Sequence, residues 1–383
     1  MRTNSRFLMT LVMSAAGFAL PSGPAAGQNP PRQTLDRPAA TFPEPVSNPI
    51  GFRVLSKDRV LVADQLEQAI SVLDFGTGEM IPVGRQGDGP GEFGMPGPLF
   101  AGPRDTTYML DMGNRRLLVL LPDGSISSST VPLAHPSGVP VLPRGVDAQG
   151  RVYFDLGGIA MPGLEESATS GRAPLLRWDP KGGRTDTLGT VTFPPMPPGG
   201  PGEVRINMGG GAYQPRDEWA VLPDGRVGLV RAAAYQVEWL GGTRAVVGPK
   251  IAYTPVKVGD DEKNAWADQM ASRGMIVEIE NGRRRTRRPP RPDINRMTWP
   301  EVMPAFTGTR AVLAAPSGEL WVRRAQPAAA DASTYDVFDQ QGRLVRQVAF
   351  TGQRVVLGVG AGVVFVSRTD EDDLQWIERY DVR

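Results

Sequence analysis

A short phrase recurs six times along these 383 residues: an apolar strand rises from a tight turn, a loop follows, and a second apolar strand returns. The first strands read VLVAD (Val60 to Asp64), TYMLD (Thr107 to Asp111), VYFD (Val152 to Asp155), VGLVR (Val227 to Arg231), LWVRR (Leu320 to Arg324) and VVFV (Val363 to Val366). The second strands read ISVLDF (Ile70 to Phe75), RLLVLL (Arg116 to Leu121), PLLRWD (Pro174 to Asp179), YQVEWL (Tyr235 to Leu240), TYDVFD (Thr334 to Asp339) and QWIERYD (Gln375 to Asp381). A small sheet repeated six times cannot bury its faces alone and must stack against its copies. The expected fold is therefore all-β: a six-bladed β-propeller.

Each blade is expected to run as four antiparallel strands, a to d, from the axis outward. Glycines such as Gly76 and Gly78, Gly124, Gly183 and Gly342 mark the turns between c and d, where hairpins need positive φ. The blades are expected at about 50–83, 97–130, 143–191, 218–251, 306–350 and 351–383. The last blade lacks a d strand, which would leave an open edge. The Pro-rich segment 28–48, near Thr34 to Pro45, is expected to supply it and close the ring.

The b strands begin at 60, 107, 152, 227, 320 and 363, so the spacing is broken twice. Extra residues fall at Leu156 to Ala173, at Thr192 to Glu218 and at 252–305. The last insertion holds an expected helix, DDEKNAWADQMASR, capped by Asp260 or Asp261, and an Arg-rich loop from Arg283 to Pro292. All three insertions belong to connections that leave a propeller on one face, so the working surface is expected there.

The run Gly84 to Gly124 resembles an NHL repeat. The matching pieces are Gly89 to Phe93, Pro96, the strand ending in Asp111, and Asn114-Arg115-Arg116-Leu117. Val62-Ala63-Asp64 is similar, and Gly200 to Glu203 is a weaker echo before blade 4. The resemblance implies a propeller of secreted or extracytoplasmic bacterial type. NHL-like propellers serve many functions, so it implies no activity.

Arg2 and Arg6, the apolar stretch Phe7 to Leu20 and the small residues Ala25 to Gly27 read as a cleavable signal peptide, 1–27, directing the chain to the periplasm or exterior. The stretch is too short to span a bilayer. The formal charge of +1 gives no general pull toward nucleic acid. The absence of Cys and the single His135, beside Pro136, exclude thiolate chemistry and multi-histidine metal sites.

The b-strand ends supply the candidate ligand-binding residues. Asp64, Asp111 and Asp155, with Asn114 and Arg116, stand on blades 1 to 3, and Arg231, Arg323, Arg324 and Arg368 on blades 4 to 6. Aligned around a ring they would make one acidic and one basic half of a channel mouth. A small anionic or zwitterionic ligand, or a protein, is the partner that pattern fits. The expected function is a non-enzymatic binding or scaffold protein, a monomer without cofactor. One alternative is a lactonase-like hydrolase or lyase with a divalent metal, calcium, at the mouth. Another is a polyanion-binding surface made by Arg283, Arg284, Arg285, Arg287, Arg288 and Arg291. The acidic run Asp370 to Asp373 lacks the alternating spacing of a calcium loop and reads as a solvated turn.

Overall fold

The computed structural model describes residues 30–89, 91–197, 205–206, 211–273, 276–280, 283–287, 289–308 and 310–382. The leader 1–27 and the Gly200 to Glu203 echo lie outside the described residues.

Six antiparallel sheets follow one another along the chain. Blade 1 is built from Pro49–Val54, Arg59–Asp64, Ala69–Asp74 and Glu79–Pro82. Blade 2 uses Pro96–Ala101, Thr107–Asp111, Arg116–Leu120 and Ile126–Pro132. Blade 3 uses Gly145–Val146, Val152–Asp155, Arg172–Trp178 and Thr185–Thr192. Blade 4 uses Glu218–Val221, Val227–Arg231, Gln236–Leu240 and Val246–Lys250. Blade 5 uses Val312–Ala314, Leu320–Arg323, Ala332–Phe338 and Leu344–Thr351. Blade 6 contributes three strands of its own, Val355–Gly360, Val363–Thr369 and Gln375–Asp381.

The ring closes through the N-terminal segment. Ala40–Thr41 pairs antiparallel with Gln375–Asp381, setting Ala40 opposite Arg379, and becomes the outer strand of blade 6. Val46 forms a further bridge to Gln375. The preceding residues do something the sequence does not announce. Arg32–Leu35 adds a fifth strand to blade 5, running parallel to Leu344–Thr351. The strap thus ties two blades together. Phe42 is fully buried where blades 6 and 1 meet, with Val60, Leu73, Phe365 and Ile377. Burying a side chain of this size contributes about 2–3 kcal/mol.

The core is a set of layers between blades rather than one central mass. Trp178 and Trp219 fill the layer around blade 3, Tyr235 and Phe338 that between blades 4 and 5, and Tyr335 and Tyr380 that between blades 5 and 6. The a strands crowd together at the axis. A Cβ on Gly51 would stand 2.5 Å from the Gly97 carbonyl oxygen of blade 2, so only glycine fits that contact.

The register of each blade puts the end of b beside the start of a, as Asp64 opposite Pro49 shows in blade 1. All three insertions leave on this face. Two lie between d of one blade and a of the next, and the third lies between b and c of blade 3. The insertions interlock. Ile159–Ala160 pairs antiparallel with Arg205–Ile206, joining the two that flank blade 3's outer strands. The Tyr213 hydroxyl donates to the Glu262 carbonyl at 2.8 Å, joining them to the insertion before blade 5. Tyr213, Trp299 and Trp266 pack in succession, tilted and then edge to face, at 5.9 and 5.5 Å between ring centres.

The helix of that insertion runs Asp260–Arg273. Its cap differs from the expected Asp260 or Asp261. Glu262, three residues into the turn, accepts the Gly259 N–H at 3.0 Å, one half of a capping box. The run expected as an Arg-rich loop is also corrected. Arg283–Arg287 is the second strand of a hairpin with Ile276–Glu280, and its register sets Glu278 opposite Arg285 and Glu280 opposite Arg283.

Candidate functional site: the capped channel mouth

The charged ends of the b strands are anchored locally. Asp64 Oδ2 accepts the N–H groups of Ser47 and Asn48 at 2.7 and 3.1 Å, and its Oδ1 accepts those of Leu66 and Glu67 at 3.0 and 3.1 Å. Asp111, wholly buried, accepts Gly94 N, Met95 N and Asn114 N at Oδ1 and Asn114 Nδ2 and Arg116 Nε at Oδ2, all within 3.2 Å. Arg116 goes on to the Glu92 carbonyl at 2.9 Å. In each blade one carboxylate stitches the b-to-c loop to the segment entering strand a.

Blades 4 to 6 make the same corner with the charges exchanged. Here the arginine stands at the end of b and the acid comes from a neighbouring strand. Arg231 meets Asp217 at 2.9 Å and Glu238 at 2.7 Å. Arg324 meets Asp336 at 3.0 Å, and the Tyr235 hydroxyl of blade 4 donates to the same carboxylate. Arg368 and Arg354 share Glu378 at 3.0 and 2.7 Å. The expected division into an acidic and a basic half is replaced by local partners, backbone N–H groups for Asp64 and carboxylates for Arg231, Arg324 and Arg368. The reason is that the carboxylates of strands a and c, which the b-strand alignment left out, face the arginines. Arg323 alone among the nine b-end candidates has no side-chain hydrogen bond or ion pair among the described residues.

Asp155 belongs to a larger cluster. Its Oδ2 accepts from Arg144 at 3.1 Å and from the Trp219 indole at 2.8 Å, and its Oδ1 from Gly157 N at 2.9 Å and Arg216 at 3.4 Å. Arg144 also bonds Glu218 of blade 4 and lies over the Trp219 ring at 4.7 Å. Two arginines and two carboxylates are thus sealed at the junction of blades 3 and 4. Burial holds the Glu218 carboxyl above the usual glutamate range in spite of Arg144 and Arg216. Arg216 is 7% exposed, and its Nε and Nη1 have no hydrogen-bond partner among the described residues.

Sequence reasoning missed Arg310. It stands two residues before strand a of blade 5 and donates from Nη2 to the Ile50 carbonyl in strand a of blade 1. Blade 6 lies between those two, so the side chain runs over the axial opening. The acceptor is available because Ile50 sits at a bulge where the ladder register shifts between Pro49 and Gly51. Arg310 is exposed to solvent and yet enclosed by the ring. Desolvation there, with the like charge of Arg144, lowers its guanidinium to about 10, still protonated at neutral pH. Its backbone is left-handed, φ 69°, which costs a non-glycine residue about 1–2 kcal/mol. An irregular segment after a long insertion carries no periodic signal that could have marked this residue.

The other candidates fall away from the mouth or outside the description. Arg291 is tied to the helix by Asp268 at 2.5 Å and Asn264 at 2.7 Å. Arg288, and the side chains of Arg283, Arg284, Arg285 and Arg287, lie outside the described residues. Asp370 folds its own turn, accepting Asp372 N, Leu374 N and the Trp376 indole within 3.0 Å. The residues considered for a calcium ion do not fit one. The oxygens of Asp64, Asp111 and Asp155 are taken by N–H donors, and among the described residues no three His, Cys, Asp or Glu are grouped to hold a metal.

The fold is a six-bladed β-propeller with three joined insertions on one face. No protein-family model matches the chain, and no curated relative does. It is similar to a member of the DUF4221 family from Bacteroides vulgatus, at 9% identity over 90% of this chain and 94% of that one, with a TM-score of 0.47. It is also similar to the calcium-binding protein regucalcin from Agrobacterium tumefaciens, at 12% identity over 92% and 97% with a TM-score of 0.36. Virginiamycin B lyase from Staphylococcus aureus is similar at 10% identity over 91% and 88%, with a TM-score of 0.35. Likenesses this distant carry no argument about what the chain binds or does. Among the described residues no helix is long and apolar enough to cross a membrane.

Proposed function

We propose that this chain is an extracytoplasmic, NHL-like binding or scaffold protein that receives its ligand or partner on the capped mouth. The carrying observation is the cap itself. Three insertions, from two positions flanking blade 3's outer strands and one before blade 5, bond to each other on one face, while the described connections on the opposite face are short turns. A propeller that only needed to be stable would gain little from that investment of chain on one side. The charged corners then have a positioning role. Asp64, Asp111, Asp155, Arg231, Arg324 and Arg368 hold loops at fixed places, and the loops meet the ligand.

The reading is tested by replacing residues 254–303 with a short Gly-Ser linker. The Lys257–Val302 bridge closes the base of this insertion, so its removal leaves both flanking strands in place. A thermal-shift screen of small metabolite classes on the intact chain should yield stabilising ligands, each adding about 2.7 kcal/mol at a hundredfold excess over Kd. Those shifts should vanish in the shortened chain while its own melting stays cooperative. Ligands that stabilise both chains equally would overturn the assignment of the site to this face.

A further inference from the structure

Arg310 at the mouth has no carboxylate partner among the described residues, and its chemistry says more about the ligand than the insertions do. We infer that Arg310 is the anchor for an oxyanion, a carboxylate or phosphate, carried by a small ligand at the axial mouth. This rests on the reading that the capped face is the working surface.

The argument is one of accounting for donors and charge. A guanidinium has five N–H donors. Arg310 spends one on the Ile50 carbonyl, a neutral acceptor, and among the described residues the others meet no protein oxygen. Several arginines of this rim have a carboxylate, whereas among the described residues Arg323 and the exposed turn residue Arg115 have none. Arg144 has Asp155 and Glu218, Arg231 has Asp217 and Glu238, Arg324 has Asp336, and Arg354 and Arg368 share Glu378. Arg323 is placed differently. Its N–H bonds Ala311 inside the blade 5 ladder, so its backbone is regular, whereas Arg310 has left the ladder in a left-handed conformation to reach the axis. Strained backbone is retained where surrounding structure or function requires it. The cation is held over the channel by the bulge at Ile50 and is partly desolvated beside a like charge. An incoming oxyanion would take the remaining donors and supply the missing negative charge. Charge-assisted bonds of this kind are about twice as strong as neutral ones, and guanidinium suits planar oxyanions.

The test uses the full mature chain, 15N-labelled, with arginine Nε–H resonances followed by NMR. The probes are benzoate, phenyl phosphate and neutral benzamide. One arginine resonance should shift saturably with benzoate or phenyl phosphate, with an affinity for benzamide at least about tenfold lower. The better of the two oxyanions identifies carboxylate or phosphate as the source. Arg310→Gln should lose the saturable binding and Arg310→Lys should keep a weaker form of it. Equal binding of benzamide, or Arg310→Gln binding benzoate and phenyl phosphate as the parent does, would overturn the inference. Should Arg310→Gln not fold, the parent chain still decides the matter, since no saturable arginine shift with either oxyanion also overturns it. Neutral ligands that bind the intact chain and need the 254–303 insertion, with no response to oxyanions, would sink the anchor and leave the capped-mouth reading standing. Oxyanions that still bind through Arg310 after the insertion is removed would do the reverse.

Discussion

Blade 2 and the junction of blades 3 and 4 solve the same problem with different materials. In blade 2 a single buried carboxylate, Asp111, takes three backbone amides, one side-chain amide and one arginine that is itself partly exposed. Three of its five partners are backbone dipoles, and the one arginine balances its charge. At the 3–4 junction Asp155 takes one amide and two arginines, and Glu218 joins them from the next blade. Four charged groups meet there, Arg144 partly exposed and the other three buried, and atoms of Arg216 have no hydrogen bond among the described residues. The first arrangement braces one blade. The second couples two blades and is costly to disturb, because removing one charge strands the others.

The difference sets the order of the expected effects. Asp155→Ala should be the most damaging single change in the ring, at about 4 kcal/mol, since breaking a buried charge network from one side costs about 3–5 kcal/mol. Asp111→Ala should cost less, about 2–3 kcal/mol, by leaving buried amides unsatisfied. Denaturant unfolding of both variants measures this, and an equal loss would mean the two corners are alike. The next effect is a pH dependence confined to the junction. Glu218 has its folded-state carboxyl raised above the unfolded value, so the folded chain holds a proton that the unfolded chain releases. Stability therefore falls as pH rises from the usual glutamate range, about 4.3, toward the raised value, and levels off above it. Glu218→Gln should lack this slope, which subtraction of the two pH–stability curves would reveal. A difference curve flat across that window would place Glu218 among ordinary surface carboxyls. The smallest effect is Trp219→Phe, which deletes one hydrogen bond to Asp155 and part of the stacking under Arg144, about 1–2 kcal/mol, readable as a shift in melting temperature.

The regular parts of this molecule were plain in its residues. Thr107–Asp111, Val152–Asp155 and Val227–Arg231 are strands that a short apolar run between turn residues marks, because an inner strand is buried on both faces. Strand a of blade 1 spans Pro49–Val54, and Pro49 with the bulge at Ile50 disguises its beginning in the sequence. Arg32–Leu35 is four residues of a parallel outer strand, half exposed and without alternation strong enough to notice. The charged corners misled for a different reason. Asp64 and Arg231 stand at equivalent places, but their partners come from other strands, and a one-dimensional alignment shows the first half of each pair only. Arg310 was invisible because what distinguishes it, a carbonyl for a partner and no carboxylate among the described residues, appears only in three dimensions.

The strap also fixes a schedule. Ala40 pairs with Arg379 and Thr41 with Glu378, so residues near the start of the ring must wait for residues near its end. Loop length is not the main obstacle, as each doubling adds only about 0.6 kcal/mol of closure entropy. The delay lies in order of arrival, because contacts so remote in sequence form late and slow the search for the native state. Until they form, Phe42 has no partner from blade 6, and the edge of Gln375–Asp381 stays open to strands of other molecules. Aggregation during refolding should therefore depend on how quickly this one junction is made, whatever the stability of the finished ring.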